Sequence, residues 1–333
     1  MGKPSPILMD VTRVGLVLGG GGVTGASYEI ATLMAVQLAT GWNPDSAEVV
    51  VGTSSGAFVS ALVRHDSLTL DSLVHPGDER ADVAERIRGH LYQRGGKRSV
   101  GNWVRHGLAP GLRRPGVTLF MGSPAPYHSR GLAGWVASQI GDDAADSWPD
   151  KPTAIVAYDI ESRQRVVFGT ANHPEAGLAE AVAASTAIPL LFRPFPIGDR
   201  LYVDGGVASG THADLVLGHS QPLDLVLIVA PMAADLNRKR ALIHEKMFDR
   251  VGRKSLDEET KLIRDAWPQC DVVTLTPSAS VQNAMRPNPM DAGRAVPTFM
   301  RTLISMKRKL AQPEVWSLLS DHLETPLHRS RAG

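Results

Sequence analysis

The sequence is poor in cysteine and in long apolar runs. Cys270 is the single cysteine among 333 residues, so the chain forms no internal disulfide, which fits a reducing compartment. The longest apolar stretches have the length of a strand, such as residues 223–232 with Asp224 inside, whereas a membrane-spanning helix needs about 20 apolar residues. Residues 1–12 also lack an apolar run of signal-peptide length. We therefore expect a cytoplasmic protein that can contact a membrane at its periphery without crossing it.

Excess charge of either sign and metal-ligand motifs are absent as well. Lysine and arginine total 35 and aspartate and glutamate total 34, which gives a formal net charge of +1. Bulk charge therefore gives no reason to expect a nucleic-acid partner. The 11 histidines form no H-E-x-x-H motif, and a single cysteine cannot form a cysteine-pair motif. We expect neither a metal site nor another cofactor.

The first 65 residues alternate between strand and helix patterns. An apolar run at 14–18 leads into four glycines, and apolar side chains recur at helical spacing over 24–38. A second strand pattern at 48–51 and a small-residue helix at 57–63 follow. This β-α-β-α start predicts an α/β protein with a mainly parallel central sheet covered by helices.

The rest of the chain is consistent with one domain. Residues 1–12 are expected to form an N-terminal extension and residues 13–333 a single domain, with an insertion at about 66–130 and a C-terminal helical extension at about 277–333. Further strands are predicted at 153–157, 165–168, 200–203, 223–230 and 272–275. Further helices are predicted at 81–94, 178–186, 238–267 and 293–310.

The pentapeptide Gly52-Thr53-Ser54-Ser55-Gly56 matches the pattern G-x-S-x-G between the second strand and the second helix. A sharp strand-to-helix turn presents a serine hydroxyl at the carboxyl edge of the sheet, and the flanking glycines allow close packing. The helix N-terminus behind Ser54 stabilises developing negative charge. The position makes Ser54 a candidate nucleophile, and the alternative is a structural Gly/Ser-rich turn.

A glycine-rich segment, residues 19–25, lies between the first strand and the first helix. Its backbone N–H groups are free to converge on an anion, such as the oxyanion of an acyl-transfer intermediate. Residues 20–25 also satisfy the G-x-G-x-x-G dinucleotide fingerprint, which requires an acidic residue at the end of the second strand. That strand leads instead into Gly52 and Ser54, so we favour the oxyanion interpretation.

Residues 201–206 end a strand pattern in Asp204, Gly205 and Gly206. The carboxylate is therefore expected at the end of a strand. Asp-Gly is also a common turn signal, so this motif gains its weight from the other two.

Together, these three motifs resemble those of the patatin-like phospholipase family in order and spacing. Residues 181–189, Ala-Val-Ala-Ala-Ser-Thr-Ala-Ile-Pro, also resemble the helix-to-proline segment upstream of the family's Asp motif. The resemblance covers about residues 13–230. It implies a three-layer α/β/α fold, a Ser–Asp dyad without histidine, and hydrolysis of fatty acyl esters of lipids by a phospholipase A, lysophospholipase or carboxylesterase.

The matching positions imply a role for each motif residue. Ser54 would be the nucleophile and Asp204 the general base. The oxyanion hole would be formed by the backbone N–H groups of Gly20, Gly21 and Gly22, with that of Ser55 in addition. The remaining motif glycines are Gly25, Gly52, Gly56, Gly205 and Gly206.

The sequence departs from the family pattern at two places. Thr24 stands where the family usually has arginine, which bears on the geometry of the Gly loop and on anionic head-group binding. After Gly206 the chain continues with residues 207–212, Val-Ala-Ser-Gly-Thr-His, where many members have asparagine and proline. Neither departure removes a residue that the chemistry requires. Acyl transfer by the same dyad, and a binding or regulatory protein with weak activity, remain open alternatives.

Three other features have competing interpretations. Ser54, Asp204 and His212 follow the chain order of an α/β-hydrolase triad, but His212 lies in a Gly/Ser/Thr-rich stretch and is interpreted as a loop residue. Residues 288–291, Asn-Pro-Met-Asp, are interpreted as a structural helix cap. Residues 86–114 contain eight Lys or Arg and no Asp or Glu, with Tyr92 and Trp103 among them. This segment is either a solvated surface loop or a contact with an anionic membrane.

Overall fold

A computed structural model describes residues 12–69, 77–94, 100–110, 122–171, 174–233 and 243–324, with the backbone alone for 243–252. Within these ranges eight strands form one sheet. The strands are β1 (Val14–Leu18), β2 (Val49–Thr53), β3 (Thr153–Asp159), β4 (Gln164–Phe168), β5 (Phe195–Ile197), β6 (Arg200–Asp204), β7 (Leu225–Val229) and β8 (Asp271–Leu275).

The middle of the sheet is parallel and buried on both faces. Strands β3, β2, β1, β7 and β8 are neighbours in that order, and each adjacent pair is parallel. Every residue of β1, β2 and β7 is buried, and these strands are almost continuously apolar, as expected for a parallel sheet between two helical layers. Strands β4 and β6 run antiparallel to β3, and β5 runs antiparallel to β6.

Strand β3 has three partners, and this arrangement brings two distant chain segments together. Strand β4 pairs with residues 155–159, so β2 and β6, whose pairings overlap that range, share the other edge. Thr53 at the end of β2 pairs with Val156, and Asp204 at the end of β6 pairs with Ala157. The carboxyl ends of β2 and β6 therefore meet at consecutive residues of β3.

Helices lie on both faces of the sheet. They are α1 (Gly22–Thr40), α2 (Ser55–Arg64), α3 (Arg80–Leu91), α4 (Val100–Trp103), α5 (Arg130–Ile140), α6 (Asp142–Asp146), α7 (Leu178–Ser185), α8 (Ile243–Ala266), α9 (Ala279–Met285), α10 (Ala295–Leu310) and α11 (Pro313–Leu323). None of the helices in the described ranges is long and apolar enough to span a membrane.

The two larger core clusters follow from the alternation of side chains along the strands. Leu16 and Leu18 of β1 face a large cluster that includes side chains of α1, α2, α3, α5, α7 and α10. Val17 faces the opposite, smaller cluster, where Leu256 and Ile263 of α8 pack. The predicted three-layer α/β/α fold with a mainly parallel sheet is thus confirmed.

Most predicted elements are present with boundaries shifted by a few residues, but no individual prediction corresponds to β5, α4, α5 or α6. Helices α9 and α11 lie in the predicted C-terminal helical extension, although their bounds were not predicted. Helix α5 has the sequence RGLAGWVASQI, and its two glycines weaken a helical pattern. Strand β5 has only three residues, which is too short for an alternation to be recognised.

The basic segment 86–114 differs from a plain surface loop. Helix α3 buries Val83, Ile87 and Leu91 in the large cluster, so this part of the predicted insertion belongs to the core. Arg86 forms an ion pair with Asp78 at 2.6 Å. Four of the eight basic residues of this segment, those at 97, 98, 113 and 114, lie outside the described residues.

Candidate active site

The predicted nucleophile, Ser54, lies in a sharp turn between β2 and α2. Its backbone has φ 54° and ψ −118°, a region that residues with a side chain rarely adopt. The neighbouring glycines show what enforces this turn. A Cβ atom on Gly56 would lie 2.0 Å from the carbonyl oxygen of Leu18, and one on Gly52 would lie 2.4 Å from Ser60 Oγ. The close approach of β1, β2 and α2 therefore fixes the serine at the carboxyl edge of the sheet.

The side chain of Ser54 contacts Asp204 directly. The hydroxyl of Ser54 donates a hydrogen bond to Asp204 Oδ2 at 2.6 Å, because both residues lie where β2 and β6 meet on β3. The Ser54 N–H donates to Ser185 Oγ at 2.9 Å. Ser185 in turn donates to the Val156 carbonyl at 2.6 Å, so the helix-to-proline segment recognised in the sequence supports the serine turn.

Asp204 is buried, and its surroundings change its basicity. The N–H of Gly206 donates to Asp204 Oδ1 at 2.7 Å. Burial raises the pKa of Asp204 from 3.8 to about 6, and the hydrogen bonds from Ser54 and Gly206 partly oppose this rise. Gly205 lies against the Val156 carbonyl, which would be 2.4 Å from an added Cβ. The two glycines of the motif thus allow the carboxylate to approach β3 and to be held by its own turn.

The backbone N–H groups of the Gly loop are not equivalent. The Gly20 N–H donates to the Gly210 carbonyl at 2.8 Å. Gly20 nevertheless lies beside Ser54, because a Cβ atom added to Gly20 would lie 3.2 Å from Ser54 Cβ. The N–H groups of Gly21, Gly22 and Ser55 have no hydrogen-bond acceptor among the described residues. Gly20 is therefore engaged in this conformation, whereas the other three predicted donors are open.

At the start of α1, the positions of Gly22 and Gly25 are packed too closely to accept a side chain. Gly22 has φ 63°, and an added Cβ would lie 2.8 Å from Met290 Sδ. An added Cβ on Gly25 would lie 2.9 Å from Ser55 Oγ. Thr24, at the position where the family usually has arginine, is buried, and its hydroxyl has no hydrogen-bond partner among the described residues.

A small apolar cleft with a cavity volume of about 50 Å³ lies against Ser54. Trp135 on its wall packs on Phe58 with ring centroids 4.7 Å apart and stacks on His90 at 5.2 Å. The cleft is lined by Gly22, Val23, Ala26, Ser54, Ser55, Phe58, Ile87, Leu91, Leu132, Trp135, Thr186, Ile188 and Met290.

The segment 288–291, interpreted from the sequence as a helix cap, also forms part of the cleft. Asp291 accepts a hydrogen bond from the Gly293 N–H at 3.0 Å, as a cap does. Met290 lines the cleft, however, and its carbonyl accepts from the Tyr92 hydroxyl at 2.5 Å. The preceding Pro289 carbonyl accepts from the Thr24 N–H at 3.0 Å. No sequence motif marks this contact, because it joins residues more than 260 positions apart.

His212 lies behind the nucleophile turn and not beside Asp204. Its Nδ1 lies 3.1 Å from Thr53 Oγ1, and no hydrogen bond joins it to Ser54 or Asp204 among the described residues. Burial lowers the pKa of His212 to about 3, so the ring is neutral. A Ser–Asp–His triad would require a hydrogen bond between the histidine and the acid.

The family assignment rests on the length of the match. The family model described as patatin-like phospholipase matches residues 16–217, which is more than half of the chain and includes all three motifs. The chain belongs to the patatin-like phospholipase family. Membership of this family supports activity on lipid esters.

Two solved structures are similar to the chain at low identity. VipD from Legionella pneumophila is 13% identical with a TM-score of 0.36, and the match covers 89% of this chain and 67% of VipD. Human GIVD cytosolic phospholipase A2, solved in complex with methyl gamma-linolenyl fluorophosphonate, is 14% identical with a TM-score of 0.40. That match covers 94% of this chain and 60% of the human protein. A search of curated protein sequences gave no match.

The raised pKa of Asp204 predicts a pH-dependent cost to stability. Between pH 3.8 and about 6 the folded protein keeps a proton that the unfolded chain releases, so the contribution of Asp204 to the free energy of unfolding falls as the pH rises through 6. Asparagine does not ionise. Asp204→Asn should therefore gain about 1 kcal/mol relative to wild type between pH 5 and pH 8.

Urea unfolding at both pH values measures this difference. Asp199→Asn, at the exposed turn between β5 and β6, provides the matched control. An Asp204→Asn difference from wild type that is the same at pH 5 and pH 8 would contradict the raised pKa.

Proposed function

We propose that the protein hydrolyses fatty acyl esters through a Ser54 acyl-enzyme, with Asp204 as the general base. One observation carries this proposal: Ser54, which lines an apolar cleft, donates a 2.6 Å hydrogen bond from Oγ to Asp204 Oδ2. A nucleophile needs a base within hydrogen-bond distance, and an acyl chain needs an apolar site that excludes water.

Asp204 takes the hydroxyl proton of Ser54 as Ser54 Oγ attacks the ester carbonyl. A pKa of about 6 leaves the carboxylate largely ionised at neutral pH while making it a stronger base than an exposed aspartate. The proton then passes to the departing alcohol. In the second half-reaction water gives a proton to Asp204 and attacks the acyl carbonyl. Asp204 then passes this proton to Ser54 Oγ as the bond between Ser54 Oγ and the acyl carbon breaks, which releases the fatty acid and restores the hydroxyl.

The negative charge of the tetrahedral intermediates needs donors that are already in place. The open N–H groups of Gly21, Gly22 and Ser55 are suited to this role, and each donor of this kind contributes about 3 kcal/mol. The first two lie at the N-terminus of α1, and Ser55 begins α2. Both helix dipoles therefore favour an anion at the same point.

The first prediction here concerns the two reacting residues. Ser54→Ala should abolish labelling by a fluorophosphonate probe and lower ester hydrolysis at least about 10³-fold. Asp204→Asn should lower hydrolysis about 10²-fold to 10⁴-fold. In wild type, kcat/KM should rise with pH through about 6, because only ionised Asp204 accepts the proton.

His212→Asn is the matched control, because asparagine tolerates the left-handed conformation of this residue, φ 53°. The variant should retain most of the activity and the same pH profile. Loss of activity in His212→Asn together with retention in Asp204→Asn would favour a triad and contradict the proposed dyad.

The cleft wall leads to a prediction about chain length. Trp135→Ala removes the largest side chain that lines the cleft, so kcat/KM should shift toward longer or branched acyl chains. A series of p-nitrophenyl esters from acetate to palmitate measures this preference. Leu38→Ala, at an exposed position on α1, should leave it unchanged. An unchanged preference in Trp135→Ala would place the acyl chain elsewhere.

We further propose that the segment around α4 contacts an anionic membrane. Val100 and Val104 are exposed. Arg105 lies 3.7 Å from Glu161, and both side chains are exposed, so this ion pair contributes little to stability. Tyr92 does not take part, since its hydroxyl is bonded to Met290 and its ring packs on Tyr127 at 5.0 Å. The valines would enter the interface while the cations bind lipid phosphates.

Neutralising Arg94, Lys97, Arg98 and Arg105 to glutamine should weaken binding to anionic vesicles, because each cation contributes about 1 kcal/mol near such a surface. Hydrolysis of vesicle lipid should fall while that of a soluble short-chain ester stays constant. The triple variant Arg301→Gln, Lys307→Gln and Arg308→Gln on the exposed face of α10 is the control. Equal loss on both substrates, or loss on neither, would contradict membrane contact through this segment.

A further inference from the structure

The loop that follows Asp204, residues 205–213, touches the other two motifs. The Gly210 carbonyl accepts the hydrogen bond of the Gly20 N–H at 2.8 Å. His212 Nδ1 lies 3.1 Å from Thr53 Oγ1, directly before Ser54. This loop is also where the sequence departs from the asparagine and proline of many family members. Its conformation therefore bears on the base, the nucleophile turn and the Gly loop at once.

One residue of α8 holds this loop through three hydrogen bonds. The hydroxyls of Ser209 and Thr211 donate to the two carboxyl oxygens of Glu259 at 2.5 and 2.6 Å. The Ala213 N–H donates to Glu259 Oε2 at 2.8 Å. Glu259 is 7% exposed and lies outside the segment 16–217 that the family model matches.

The Glu259 network determines the direction in which the loop backbone points. Ser209 Oγ, while donating to Glu259, also accepts from the Thr211 N–H at 3.3 Å. A buried carboxylate strengthens its hydrogen bonds because the surroundings have a low dielectric constant. Removing the acceptor would leave buried donors unpaired, which is unfavourable unless the loop moves. The Gly210 carbonyl lies between Ser209 and Thr211, so it would move with them.

We propose that Glu259 is a positioning residue for the oxyanion hole. By fixing residues 209–213 it holds the Gly210 carbonyl on the Gly20 N–H, and this contact directs the next two amides, Gly21 and Gly22, toward the substrate carbonyl. The inference rests on the proposed hydrolysis at Ser54 and assigns a role to a residue of the C-terminal part of the chain.

The geometry distinguishes this role from substrate binding. No residue of 205–213 or of the described side chains of α8 lines the acyl cleft. Glu259→Gln keeps the size of the side chain but replaces an acceptor with a donor that faces Ser209 or Thr211. It should lower kcat about 10-fold to 100-fold, as losses in supporting contacts do, and leave KM within about twofold. Glu258→Gln, on the exposed side of α8, should change neither constant.

A second readout does not depend on activity. Hydrogen–deuterium exchange should become faster in Glu259→Gln for peptides that contain Gly20 and residues 205–213, and stay constant for peptides of α3 and α5. Thr211→Val removes one donor and should produce a smaller change of the same kind, non-additive with Glu259→Gln. If Glu259→Gln does not fold, Thr211→Val and Ser209→Ala carry the test.

The outcomes separate the two proposals. A wild-type protein that neither hydrolyses esters nor reacts with fluorophosphonate would overturn the proposed function, while the exchange data would still test the contact between the loop and Gly20. The positioning role is overturned if kcat and exchange are unchanged, if KM rises while kcat stays constant, or if kcat rises. The last result would mean that the Gly210 carbonyl blocks a donor.

Discussion

The site depends on the way that β2 and β6 share one edge of β3. Strand β2 runs parallel to β3 and β6 runs antiparallel, so their carboxyl ends meet head to head at Val156 and Ala157. Ser54 directly follows the end of β2, and Asp204 is the last residue of β6. Their contact therefore needs no long side chain and no loop closure, since the hydrogen-bond ladder of the sheet already fixes both backbones. A site built on strand ends in this way is held more rigidly than one built on loops.

The same arrangement makes the site costly to fold. Ser54 adopts a backbone conformation that is unfavourable for residues with a side chain, and Asp204 is buried without a cationic partner among its interactions. Close packing at Gly52 and Gly56 maintains the backbone conformation of Ser54. Hydrogen bonds from Ser54 and Gly206 reduce the cost of burying the Asp204 carboxylate. Burial also gives the carboxylate its increased basicity. The destabilising term and the proposed catalytic property thus have one physical origin.

The sequence predicts the parts of the site that local chemistry determines. Short strands followed by glycines identified the turns at Ser54 and Asp204, and the alternation of elements predicted the fold. The contacts that orient these turns could not be predicted, because they join residues far apart in the chain. Gly20 lies at a motif position that predicts an oxyanion donor, yet its N–H donates to the Gly210 carbonyl. No sequence motif marks Met290 as a cleft residue. Its place in the cleft depends on how the segment before α10 lies against the Gly loop.

The division between matched and unmatched segments suggests where the properties of this chain differ from those of its family. The proposed nucleophile and base and the motif glycines lie within residues 16–217, so we expect their chemistry to be shared with the family. Met290 and Glu259 lie beyond that segment, yet Met290 lines the apolar cleft and Glu259 bonds to the loop that follows Asp204. Both positions are reached because α8 and α10 pack on opposite faces of the sheet. We therefore expect substitutions at Met290 to change the shape of the cleft and substitutions at Glu259 to change the orientation of the Gly-loop amides. The two effects should be separate, since neither residue contacts the other motif through Ser54 or Asp204.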